Sequence, residues 1–203
     1  MSRPPIVGVL ALQGDVREHL RALKACGADV RPVRRPADLD GLDGIVLPGG
    51  ESTTIDKLSR IFGLRDPLIK ALQGGLPAYG SCAGMILLAK KVLDGTKDQQ
   101  TFGTLDITVR RNAFGRQVES FETDVDLDGI GGGPVHAVFI RAPWVESIDD
   151  GVEILAAVVP PGLDESKIIA VRHESVLATS FHPEVTDDLR IHRYFVHLVG
   201  AAR

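Results

Sequence analysis

The strongest constraint on the fold is an alternation of apolar runs and helix-periodic segments through the first half of the chain. Ile6-Val-Gly-Val-Leu-Ala-Leu12 is an unbroken apolar run, the pattern of a strand covered on both faces. Val16, Leu20 and Leu23 then fall at helical spacing, with Asp15 placed to cap a helix over Val16 to Cys26 and Gly27 to stop it. Ala28 to Val33 reads as a second strand and Gly44 to Leu47 as a third, ended by Pro48-Gly49-Gly50. Helices are expected over Thr53 to Phe62 and Pro67 to Gln73, a short strand over Leu76 to Tyr79, and a helix over Ala83 to Lys91. Strands and helices that alternate with short connections imply an open, mostly parallel sheet flanked by helices.

The second half changes period. Leu105, Ile107 and Val109 alternate with polar residues, as do Phe121, Thr123, Val125 and Leu127. Half-exposed antiparallel strands have that rhythm. His136 to Ile140, Val152 to Val159, Ile168 to Val171 and Val176 to Phe181 are further strand candidates, and Leu189 to Val199 is a closing amphipathic helix. Gly129 to Pro134 can only be a loop. No repeat or polar linker divides the chain, so one α/β domain over 1–203 with an antiparallel strand extension is expected.

Charge and cysteine content exclude several classes of function. Twenty-three Lys and Arg face 27 Asp and Glu, a net charge of -4, which argues against nucleic acid or an anionic membrane as partner. No apolar stretch approaches a membrane span, and Gln13-Gly-Asp15 after the first run is unlike a signal cleavage site. Two cysteines, Cys26 and Cys82, make neither a disulfide framework nor a cysteine zinc site. A cytoplasmic location is expected.

Gly80-Ser81-Cys82-Ala83-Gly84 lies between a strand and an apolar helix and has the form of a nucleophile elbow, with cysteine as nucleophile. The sharp turn holds that residue strained and needs small neighbours, and the helix N-terminus favours a thiolate. Taken alone, Cys82 is equally compatible with a small buried hydrophobe. Phe181-His182-Pro183-Glu184, at the end of another strand, supplies the base: in extended chain His182 and Glu184 share a side, so Glu184 can orient the imidazole toward sulfur. Pro48-Gly49-Gly50-Glu51-Ser52 adds a glycine pair whose amides, with that of Ala83, could form an oxyanion hole; Ser52 or Thr53 could also simply cap the next helix.

Other candidates carry less. Cys26 before Gly27 reads as structural, and Asp15 and His19 as a solvated helix face. His192 and His197 fall on different faces of the last helix and make no metal pair, and His173-Glu174 does not complete a zinc motif because position 177 is Leu. Arg111 and Arg141 near turns are either surface charges or clamps for a carboxylate.

Gly-Ser-Cys-Ala-Gly, Pro-Gly-Gly-Glu-Ser-Thr and Ser-Phe-His-Pro-Glu together resemble the signature blocks of the class I, triad-type glutamine amidotransferases, whose sheet is flavodoxin-like. Leu12-Gln-Gly14 through Arg17-Glu-His19, Gly49 to Thr54, Arg111 to Gln117 and Phe139 to Pro143 resemble the branch that serves as glutaminase subunit of pyridoxal 5'-phosphate synthases. The resemblance spans nearly the whole chain; it departs at Ser81, where relatives commonly carry Thr. It implies hydrolysis of L-glutamine through a thioester on Cys82, with His182 as base and then acid and Glu184 orienting it. Gly50, Glu51 and Ser52 would line the glutamine site, Gly50 and Ala83 would form the oxyanion hole, and Arg111, Ile140 and Arg141 would hold the amino-acid end. It further implies that ammonia passes to a (β/α)8-barrel synthase subunit in a large hetero-oligomer, which makes pyridoxal 5'-phosphate from ribose 5-phosphate and glyceraldehyde 3-phosphate. Relatives are typically weak or silent until docked. Neither a metal nor an organic cofactor is implied. A stand-alone cysteine hydrolase and a non-catalytic regulatory paralogue are the competing readings.

Overall fold

The structure, a computed structural model, describes residues 3–111, 113 and 120–203. Of the block Arg111 to Gln117, Asn112 and 114–117 lie outside the described residues. The chain begins β1 (Ile6–Leu10), α1 (Val16–Ala25), β2 (Asp29–Val33), β3 (Gly44–Leu47), α2 (Ser52–Ile61), α3 (Arg65–Gln73), β4 (Ala78–Ser81), α4 (Ala83–Leu88) and β5 (Ala89–Leu93). It continues with β6 (Leu105–Arg110), β7 (Ser120–Val125), β8 (Val135–Ile140), β9 (Trp144–Ile148), β10 (Glu153–Val158), β11 (Lys167–His173), β12 (Val176–Thr179) and α5 (Arg190–Ala201).

Strands β2-β1-β3-β4-β12 run parallel, and β11, β9, β6 and β5 extend the sheet from β12, with β10 also paired to β11. The extension is antiparallel at β12–β11, β11–β9, β11–β10 and β9–β6, while β6–β5 is parallel. Beside this sheet β7 and β8 form an antiparallel pair. The expected mostly parallel sheet with helical cover and an antiparallel extension is therefore present. Its strand order reverses between β1 and β3, and open α/β sheets bind ligands beyond the strand C-termini at such a switch point.

Alternate side chains of each strand enter opposite layers. In β3, Ile45 and Leu47 pack with Ile55, Leu68 and Met85, whereas Val46 joins Leu23, Tyr79 and Phe195 on the other face. Both faces being dry explains why these strands read as continuous apolar runs. Among the described residues no helix is long and apolar enough to cross a membrane.

Two expectations fail. The helix over Ala83 to Lys91 stops at Leu88, because Phe102 and Thr104 donate their amides to the carbonyls of Leu87 and Leu88 at 2.6 and 3.0 Å. Ala89 turns extended (φ -59°, ψ 143°) and opens β5 against β6. Strand β9 was not expected, since Glu146 interrupts its apolar pattern; Arg110 of the paired strand and the Trp144 indole both donate to that carboxylate, at 3.1 and 2.7 Å. The glycine-rich loop is tied down by Arg190, which donates to the carbonyls of Gly133 and Pro134 at 2.6 and 2.7 Å.

Candidate active site

Cys82 alone makes the turn from β4 into α4, at φ 47° and ψ -101°. A side-chain-bearing residue in such a region costs about 1–3 kcal/mol and is retained where its surroundings enforce it. Here the Cys82 amide donates to the Thr179 carbonyl of β12 at 2.8 Å, and α4 is pressed onto β3. A β-carbon on Gly84 would collide with the Leu47 carbonyl oxygen, and one on Gly80 would lie 2.5 Å from the Gly84 carbonyl carbon. The small neighbours that the elbow motif demanded are thus required by the close approach of backbones.

His182 follows β12 and reaches the same edge. Its Nδ1 lies 2.8 Å from Glu184 Oε1 and 3.5 Å from Asp15 Oδ2, so Glu184 is the closer partner. The pair is not made in extended chain, as the two-residue spacing suggested: Pro183–Val185 form a single 3-10 turn that folds the carboxylate back onto the imidazole. Asp15 does not cap α1 through its side chain, which instead lies beside His182. Gly49 must lack a side chain, because a β-carbon there would run into the His182 ring.

Burial opposes charge on His182, but hydrogen bonds with Asp15, Cys82 and Glu184 outweigh it and push its pKa up to about 12. Burial likewise opposes charge on Glu184, yet His19 and His182 hold its carboxyl well below the usual carboxylate range. An imidazolium facing sulfur, locked by a buried carboxylate, is the arrangement for a cysteine nucleophile. It also sets a pH dependence of stability. The depressed Glu184 contributes above its ordinary value of 4.5 and loses that contribution as pH falls; the raised His182 contributes fully below 6.5 and declines as pH climbs toward about 12. The pair therefore stabilises most between pH 4.5 and 6.5. Urea denaturation across pH is expected to show a shallower acid limb for Glu184→Gln than for wild type.

Gly50, Glu51, Ser52, Cys82, Ala83, Ile86, Arg111, Ile140 and Arg141 line a cavity of about 40 Å³. All the substrate-site residues expected from the sequence are in this set; Arg141, like Cys82, has a positive φ, 44°. Arg111 donates to Glu51 Oε1 at 2.9 Å and to Gln99 Oε1 at 2.8 Å, while Gln99 Nε2 donates to Ser52 Oγ at 2.9 Å. Glu51, rather than Ser52 or Thr53, occupies the position before α2, with no side-chain cap. The Glu51 amide donates to Gln13 Oε1 at 2.7 Å. Sequence reasoning missed Gln99, which sits in a polar stretch with no motif around it, and gave Gln13 no individual role. A larger groove of about 520 Å³ beside Lys57, Ile61 and Lys97 includes none of the triad.

Asp15, His182 and Glu184 have ligand atoms within 4.8 Å of one another. Both carboxylates face the same protonated Nδ1, which makes this a hydrogen-bonded group rather than a metal cradle. His19 is the clearest correction: it is 0% exposed, not part of a solvated face, and His192 is buried against it at 3.0 Å. Cys26 is half-buried and makes no disulfide, with its sulfur 3.8 Å from the Leu189 carbonyl.

The profile of the SNO glutamine amidotransferase family matches residues 9–200. A pyridoxal 5'-phosphate synthase subunit PdxT from Nocardia farcinica is 64% identical, over 98% of this chain and 87% of its own length. The protein of the same name from Salinispora arenicola is 61% identical over 98% of both chains. A crystal structure of a glutamine amidotransferase superposes with a TM-score of 0.86 at 49% identity, covering 96% of this chain and 98% of the other. The structure of PurLQS from Thermotoga maritima shares the fold at 19% identity, with a TM-score of 0.67 over 98% of this chain and 99% of the matched one. On a family match that takes in the elbow, the Gly49-Gly50 turn and the His182–Glu184 pair alike, the chain belongs to the SNO glutamine amidotransferase family.

Proposed function

We propose that this chain, as one domain over 1–203, hydrolyses L-glutamine and supplies the ammonia to a pyridoxal 5'-phosphate synthase. The observation that carries the reading is the Cys82 elbow facing a His182 whose other nitrogen is held by buried Glu184. The sulfur attacks the side-chain amide carbon, and the amides of Gly50 and Ala83 receive the developing oxyanion. His182 gives its proton to the leaving nitrogen, so ammonia departs and a glutamyl thioester remains on Cys82. Neutral His182 then takes a proton from water, whose oxygen attacks the thioester and releases glutamate.

Gly50, Glu51 and Ser52 line the glutamine site, and Arg111, Ile140 and Arg141 hold the amino-acid end of glutamine. The cavity that these residues line is small, about 40 Å³. Arg111 is held by Glu51 here, and exchange of that pair for the carboxylate of glutamine suits an enzyme that waits for its partner. That partner is a (β/α)8-barrel synthase subunit within a hetero-oligomer. Two unpaired thiols suit the reducing cytoplasm.

The test is ammonia release from L-glutamine with and without the synthase subunit, with stimulation of at least about tenfold expected, an effect of the size that positioning one reacting group supplies. Ammonia release in neither case, or peptide hydrolysis without any partner, would overturn the reading. Arg111→Met is expected to raise KM for glutamine by roughly tenfold or more, the worth of a charge-assisted hydrogen bond, with a smaller change in kcat.

A further inference from the structure

Helix α1, strand β4 and helix α5 bring His19, Ser81 and His192 together beside Glu184, all four buried. His19 Nδ1 is 3.0 Å from His192 Nε2, and His19 Nε2 is 3.0 Å from Ser81 Oγ and 3.5 Å from Glu184 Oε1. The Tyr79 ring stands edge-on to both imidazoles, with centroids 6.0 and 6.1 Å away. Two imidazoles in a dry layer are costly unless hydrogen-bonded; the bonds these two make lead to the residue before Cys82, with the Glu184 carboxylate 3.5 Å away.

The proton positions follow from which atoms lack partners. His192 Nδ1 is buried without a hydrogen-bond partner among the described residues. Buried N–H groups without an acceptor are rarer than buried acceptors without a donor, so this nitrogen carries the lone pair. Burial pushes the His192 pKa down to about 3, so His192 is neutral and has its proton on Nε2. That N–H donates to His19 Nδ1, which leaves the His19 proton on Nε2, facing Ser81 and Glu184. Glu184 Oε2 is also buried without a hydrogen-bond partner among the described residues; His182 Nδ1 bonds Oε1 at 2.8 Å, and His19 Nε2 stands 3.5 Å from the same oxygen on the other side.

We propose that His19 is a positioning residue for the triad, its Nε2–H fixed by His192 and shared between Ser81 Oγ and Glu184 Oε1 so that the carboxylate stays aimed at His182. Without it the carboxylate keeps one donor and can turn away from the imidazole, and the strand end bearing Cys82 loses its tie to the carboxylate. The proposal rests on the triad reading given above.

The discriminating variants are His19→Gln and His19→Asn, measured in the complex with the synthase subunit. Both are polar and similar in size, but only the glutamine amide reaches the place of Nε2; that of asparagine reaches the place of Nδ1. Two rates are read, each normalised to folded protein by circular dichroism: kcat for ammonia release from L-glutamine, and alkylation of Cys82 by iodoacetamide, which needs no substrate. His19→Gln is expected to stay within about threefold of wild type in both. His19→Asn is expected to lose about 10–100-fold in kcat, the usual effect of removing the partner that orients a functional side chain, with KM within about twofold and slower alkylation. Equal rates for the two variants, whether both near wild type or both lowered, would overturn the proposal. If the wild-type complex releases no ammonia, the glutaminase reading fails, and the alkylation rates alone still decide the role of His19.

Discussion

Cys82→Ala is expected to abolish ammonia release from glutamine, a fall of at least about 10⁴-fold in kcat with the synthase subunit present, the scale seen when a triad nucleophile is removed. The sulfur is the atom that forms the covalent bond, and no other cysteine stands near: Cys26 lies between α1 and β2, its sulfur against the Leu189 carbonyl. The fold should persist, because alanine fills the same turn. A companion measurement separates chemistry from strain. At φ 47° a β-carbon is unfavourable, so Cys82→Gly, equally inactive, is expected to be more stable than Cys82→Ala by about 1 kcal/mol. For a chain of this length that is roughly 2–4 °C in Tm. Activity retained in Cys82→Ala would remove Cys82 from the mechanism; a glycine variant less stable than the alanine one would mean that the turn is not strained.

Gly84→Val is expected to destabilise the fold by more than about 3 kcal/mol, beyond the usual cost of overpacking, because the obstacle is backbone. A β-carbon at position 84 meets the Leu47 carbonyl oxygen, with the Leu47 carbonyl carbon at 2.9 Å and its own Cβ at 3.0 Å. That carbonyl belongs to β3, paired on both sides in the middle of the sheet, and cannot retreat. Helix α4 must move outward instead and take the Cys82 elbow with it. Denaturant unfolding should show the loss, and whatever protein remains folded should alkylate slowly at Cys82. Gly84→Ala is the milder case and should follow the same direction. A valine variant with wild-type stability would show that α4 does not pack on β3 as described.

Much of this site was legible in the sequence. Glycines around Cys82, the glycine pair at the end of β3 and the His-Pro-Glu run are local statements, since each records a turn or a close approach that fixes residue type at that position. Boundaries set by distant partners were less so. Helix α4 ends at Leu88 because amides from positions 102 and 104 take its carbonyls, and β9 tolerates Glu146 because Arg110 lies across the ladder. Gln99 reaches Ser52 and Arg111 from a loop far away along the chain, so no spacing pointed to it.

His19 marks the boundary between the two kinds of knowledge. By sequence it is a polar residue on an amphipathic helix, and polarity there normally means solvent. What buries it is α5, from the opposite end of the chain, which sets His192 against it, and β4, which sets Ser81 on its other side. By itself the sequence determined the parallel sheet, the sharp cysteine turn and the residues of the candidate triad, because periodicity and small-residue requirements are short-range. Tertiary structure alone decided what holds the triad in place: hydrogen bonds between residues remote in sequence, made wherever packing excludes water, leave no pattern in the chain.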